Sequence, residues 1–142
     1  MWRALLAVLL GIAMTTMAQA ANYAVGQIWS YRTRAGEENS RVIIDKIEDA
    51  RTLGKIYHVT IKGVKVKNPK IAGGISDTLQ HLPLSQASLD GSVLKLIGTG
   101  KSDPSFQEGY REWKTAFDGD KAGIWTVSIE KIVGAVEKAI NQ

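Results

Sequence analysis

The chain has 142 residues, a formal charge of +4 from 18 Lys and Arg against 14 Asp and Glu, and no cysteine. That length fits one ordinary domain, large enough to bury a core without covalent staples. The missing cysteines exclude disulfides, thiolate metal sites and a lipidated cysteine, and so small a charge is no nucleic-acid footprint, so nucleic acid is not a partner this sequence calls for.

The opening residues read as a leader. Arg3 supplies a positive start, residues 4–14 are apolar apart from Gly11, and Ala18-Gln19-Ala20 is a small-x-small site. These are the parts of a secretory signal peptide. The run is too short to span a bilayer comfortably, which takes about 20 apolar residues. Cleavage is expected after Ala20, with an uncleaved anchor as the alternative. Residues 21–142 then form a single domain of 122 residues with charge +3. No Arg-Arg pair points to the twin-arginine route. The expected destination is the bacterial periplasm or beyond, and no second long apolar run predicts a transmembrane segment.

Residues 27–33 alternate Trp29 and Tyr31 with Ser30 and Arg32, the pattern of a two-faced strand. Residues 35–39 read as a turn. Residues 41–48, rich in Val and Ile, predict a second strand. Residues 55–66 predict a third, with Tyr57, Val59 and Ile61 on one face and Ile56, His58, Thr60 and Lys62 on the other. Gly63 marks a bulge or bend. Short links between these three imply an antiparallel meander.

Residues 68–82, with Gly73-Gly74 at the middle, read as a long irregular loop. Helical spacing follows: Ser85 as cap, then Leu89, Val93, Leu96 and Ile97, ending at Gly98. Asp103-Pro104 predicts the start of a second helix, with Phe106, Tyr110, Trp113 and Phe117 along one stripe. Gly119 and Gly123 bracket a turn, residues 124–127 predict a short fourth strand, and Ser128 caps a last helix bearing Ile129, Ile132, Val133, Val136 and Ile140. The order β-β-β-α-α-β-α makes the class α+β: an antiparallel sheet of about four strands with helices packed on one face.

Three stretches carry a resemblance: Trp29-Ser30-Tyr31-Arg32-Thr33-Arg34 with Gly36-Glu37-Glu38, then Leu53-Gly54-Lys55-Ile56-Tyr57-His58-Val59, and Phe106, Tyr110 and Trp113 with the closing helix. Together they resemble a family of small bacterial exported domains of unassigned function. The resemblance implies a coherent domain over most of residues 21–142. It implies no cofactor and no site residue.

Chemistry-bearing residues are few. His58 could act as a general base if a carboxylate oriented it, the nearest in sequence being Glu37, Glu38, Asp45 and Glu48; the alternative is a histidine hydrogen-bonded on a sheet face. His81 could be a second base or ligand, but its distance from His58 matches no zinc spacing, so no metal is expected. Asp118-Gly119-Asp120 is too short for a calcium loop. Gly98-Thr99-Gly100-Lys101-Ser102 lacks the spacing of a phosphate loop, and no serine-nucleophile elbow exists. Trp29, Tyr31, Arg32 and Arg34 are candidate contact residues, against an alternative in which the two aromatics face the core and Arg32 pairs with Glu37. Lys62, Lys65, Lys67 and Lys70 form a candidate basic strip, or else protect a strand edge.

These features lead to an expected exported, non-enzymatic binding or interaction domain. It needs no cofactor, and its partner is a protein or an anionic envelope component; an inhibitor or immunity-type role is one form. The alternatives are a small hydrolase using His58 with a carboxylate, or a small-ligand carrier lined by the aromatics of the second predicted helix.

Overall fold

The computed structural model describes residues 22–142, so the expected leader and its cleavage point lie outside the described residues. The elements run β1 (Gln27–Tyr31), β2 (Arg41–Ala50), β3 (Gly54–Lys67), β4 (Ile75–Ser85), α1 (Gln86–Asp90), β5 (Val93–Thr99), α2 (Phe106–Asp118) and α3 (Ile129–Ile140). The strands form one antiparallel sheet in the order β4-β3-β2-β1-β5. The class is α+β, with five strands rather than about four.

The first three strands follow the sequence reading closely, although β1 stops at Tyr31. The later elements depart from it. The expected loop over residues 68–82 is a tight turn followed by β4. The expected helix over residues 85–98 is only the five-residue α1, which Ser85 does cap by accepting from the Ser88 amide at 3.1 Å. At Gly91 the chain leaves the helix and pairs with β1 as β5. A short apolar run fits either period, and here the open backbone edge of β1 decides the outcome. Leu94, Leu96 and Ile97 consequently stay exposed on an outer strand. The expected strand over residues 124–127 is reduced to one parallel bridge, Leu84 to Trp125.

Helices cover both faces of the sheet, not one. Val42, Ile44, Tyr57, Val59, Ile61, Val64, Val66, Leu82 and Leu84 make the main core with Leu89 of α1 and Ile129, Ile132 and Val133 of α3. Successive residues of a strand point to opposite faces. Ile56, His58 and Thr60 therefore turn to the other side, where α2 lies with Tyr110 and Trp113 against His58. Asp103 serves the entry to α2 by accepting from the Ser105 amide at 2.9 Å, but the helix proper begins two residues after Pro104. Ser128 caps α3. No helix among the described residues is long and apolar enough to cross a membrane.

Candidate functional site

Two irregularities of the sheet aim side chains at His58. On β2, Ile44 pairs with Val59 and Lys46 with His58, so Asp45 is an extra residue. Without it, Glu48 would share a face with Val42 and Ile44. The bulge resets the alternation: Ile47 joins the core, while Asp45, Lys46 and Glu48 turn toward α2. On β4, Leu79 pairs with Ile61 and Leu82 with Val59, three steps against two. The extra length falls at Gln80 and His81, and His81 adopts a left-handed φ of 48°. A non-glycine residue held there costs on the order of 1 kcal/mol and is a recurrent mark of functional sites.

The result is a chain of hydrogen bonds. Glu48 Oε1 lies 2.6 Å from His58 Nε2, and His58 Nδ1 lies 2.9 Å from His81 Nε2. Tyr110 donates to Glu48 Oε2 at 3.2 Å, and Lys114 Nζ stands 3.8 Å from the same oxygen. The two imidazoles lie edge to edge, their planes 18° apart and their centroids 5.1 Å apart, with Tyr110 and Trp113 edge-on to His58 at 4.8 and 5.0 Å. Gly109 lets α2 come this close, since a Cβ there would stand 3.1 Å from that of His81. His58 is fully buried and His81 nearly so.

Burial pushes the His58 pKa down, against the opposing pull of the Glu48 hydrogen bond. Burial, and then His58 itself, push His81 down to about 4. Both rings are therefore neutral near pH 7. Beside them, Asp45 accepts from Thr60 at 2.5 Å and Ser102 at 2.9 Å, and its burial raises its pKa.

The chain runs between two openings. Glu48 borders a groove of about 350 Å³ with Arg51, Leu53, Lys114 and Phe117. His81 borders a wider one of about 580 Å³ whose walls include Pro83, Trp113, Gly123, Ile124 and Trp125. The segment 123–125 is held against β4 by hydrogen bonds from Trp125 N to Pro83 O and from Ser85 N to Trp125 O, at 2.8 and 2.9 Å. No group of three His, Cys, Asp or Glu side chains among the described residues is arranged to hold a metal.

The contact residues expected from the sequence differ in exposure. Tyr31 is buried and bonded to Ser40 at 2.7 Å. Trp29 is half-buried, edge-on to Tyr23, with its Nε1 donating to Gln27. Arg32 is exposed and donates to the Gly91 carbonyl. Arg34, not Arg32, pairs with Glu37, through Nε at 2.7 Å, and it also reaches Glu137 of α3 at 3.0 Å. Lys62, Lys65, Lys67 and Lys70 remain exposed, with Lys62 3.9 Å from Asp103.

His58 meets its carboxylate, as one reading of the sequence required, yet the openings lie at Glu48 and His81 and not at His58. Sequence reasoning missed Glu48 as the partner in particular, and the pairing of the two histidines. A polar pair interrupting an apolar strand, Asp45-Lys46 before Ile47, is the only signal of the bulge.

The chain matches no family model, no curated protein and no solved structure.

Proposed function

We propose that this chain is an exported, non-enzymatic binding domain whose ligand seats in the groove between α2 and Trp125. The observation that carries the reading is His81: a side chain in a strained backbone conformation, fixed from behind by His58 and Glu48, at the wall of an open groove holding two tryptophans. Concave, mostly apolar sites with a few placed polar groups are what ligand pockets look like. Binding is favoured over catalysis because His81 and Glu112 are the only titratable side chains lining this groove, among apolar and aromatic neighbours. An imidazole pushed down to about 4 is also a weak base at neutral pH. The exposed lysines of residues 62–70 add long-range attraction toward an anionic envelope component, and the leader-like start supports a periplasmic or secreted location.

The test is a fragment and envelope-extract screen read by the indole N–H resonances of the exported protein. Ligands that shift Trp113 and Trp125, and lose their effect in Trp125→Ala, support the reading. Hits that shift only residues remote from the groove count against it.

A second reading, a small hydrolase, is favoured by one feature, the carboxylate–imidazole–imidazole chain. It requires water activated at His81, with Glu48 taking up charge through His58. It predicts turnover of chromogenic esters or glycosides that Glu48→Gln and His81→Gln both abolish; no turnover across such a panel removes it.

A further inference from the structure

We propose that the groove beside His81 receives an uncharged pyranose unit of an oligosaccharide, its C–H face against the tryptophans and one of its hydroxyls donating to His81 Nδ1. The proposal rests on the reading of this groove as a binding site and names its ligand class.

Hydrogen-bond polarity fixes the tautomer of each imidazole. A carboxylate only accepts, so the bond from His58 to Glu48 places the proton of a neutral His58 on Nε2. His58 Nδ1 is then an acceptor, and the 2.9 Å contact makes His81 Nε2 its donor. A neutral His81 with its proton on Nε2 has a lone pair on Nδ1. That nitrogen has no hydrogen-bond partner among the described residues, and no fully buried side-chain nitrogen or oxygen there lacks one, so Nδ1 reaches solvent. The solvent space His81 borders is the groove. Glu48 thus sets, two hydrogen bonds away, which kind of group the groove presents.

The other groove side chains sharpen the choice. Glu112 is a second acceptor on the rim, and the Trp113 indole N–H is already taken by the Gly123 carbonyl at 2.8 Å. A carboxylate or phosphate ligand would face two acceptors and no cationic side chain. The ligand must donate hydrogen bonds while presenting a flat apolar face to Trp113, Trp125, Pro83 and Ile124. A pyranose does both: its axial C–H bonds make the apolar face and its hydroxyls are donors around the rim. The volume of about 580 Å³ lies in the ordinary range for small-ligand sites. An alkylammonium also donates, but its charge would draw it to Glu112 and make its binding salt-sensitive.

The experiment titrates the exported protein with chitotetraose and cellotetraose, following tryptophan fluorescence and the indole N–H signals. Expected is saturable binding by at least one of them, insensitive to salt and weakened about tenfold or more in His81→Phe and Trp125→Ala, the loss of one hydrogen bond or stacking contact. Retained indole dispersion in each variant shows that it still folds. Glu48 is a positioning residue, so Glu48→Gln is expected to mix the His81 tautomers in ¹⁵N spectra and to weaken binding in parallel. If neither sugar binds but hexylammonium or a neutral peptide shifts both groove tryptophans, the sugar assignment is overturned and the groove reading stands. If no probe of any class shifts them, both fall.

Discussion

His58 and His81 show how a buried polar pair makes stability depend on pH. Both have pKa values below the unfolded value of about 6.5, because burial disfavours the imidazolium. As pH falls, the unfolded chain therefore takes up protons first. Stability is whole above pH 6.5 and declines as pH drops toward about 4, where His81 itself titrates. The groups facing the pair are Glu48 and Lys46 from β2 and Tyr110 and Lys114 from α2. Only Glu48 favours protonation, and the two lysines oppose it at His58. The gap at His81 corresponds to at most about 3 kcal/mol. Asp45 acts with the opposite sign, since its raised pKa favours the folded state in acid. Urea unfolding should give a lower midpoint at pH 5 than at pH 7.5, with most of that slope absent in His81→Gln. A variant as pH-sensitive as the parent would contradict this origin.

At the scale of elements, what the sequence made legible was regular alternation. The two faces of β3 and the aromatic stripe of α2 follow from such periods, and the bend at Gly63 and the Ser85 and Ser128 caps from residue type. What it hid lies at interruptions. The site exists because bulges at Asp45 and at Gln80-His81 break that period, so alternation alone does not single out Glu48 among the four acids nearest His58. Pro83 and the spacing of Leu79, Leu82 and Leu84 disguised β4 as a loop for the same reason. β5 was disguised by apolar residues that stay exposed. Leu96→Thr should therefore cost less than about 1 kcal/mol, whereas Leu89→Ala, fully buried in α1, should cost about 2–5 kcal/mol in chemical denaturation. Equal costs would return residues 93–99 to a buried helix face.

Arg34 is the clearest case of an element-joining residue that resembled a surface contact. It ties the turn after β1 to α3 through Glu37 and Glu137. The Glu37 side chain is only 2% exposed; Arg34 holds its pKa down, and the Lys65 amide donates to it at 2.6 Å. Arg34→Ala strands that buried carboxylate and should cost about 3 kcal/mol. Glu137→Ala, at a half-open position, should cost about 1 kcal/mol. Similar small losses for both would mean that the clamp is only a surface pair.

Across the whole molecule, a single sheet carries two different layers. One face, under α1 and α3, is an apolar core. The other, under α2, is a polar chain wrapped in aromatics that ends at a groove. The first accounts for a domain that folds without cysteine; the second is where recognition is proposed. Export is proposed at this scale, and intact-mass analysis of the protein recovered from the producing cell should find a chain starting at Ala21. A chain retaining Met1 would contradict cleavage after Ala20.

The central claim, that Glu48 and His58 fix His81 as an acceptor facing the groove, is tested most directly by ¹⁵N NMR of the two imidazoles at pH 7. The account predicts two neutral rings, each with its proton on Nε2, and a His81 Nδ1 signal that moves when ligand is added. A proton on His81 Nδ1, or an imidazolium at His58, would contradict it.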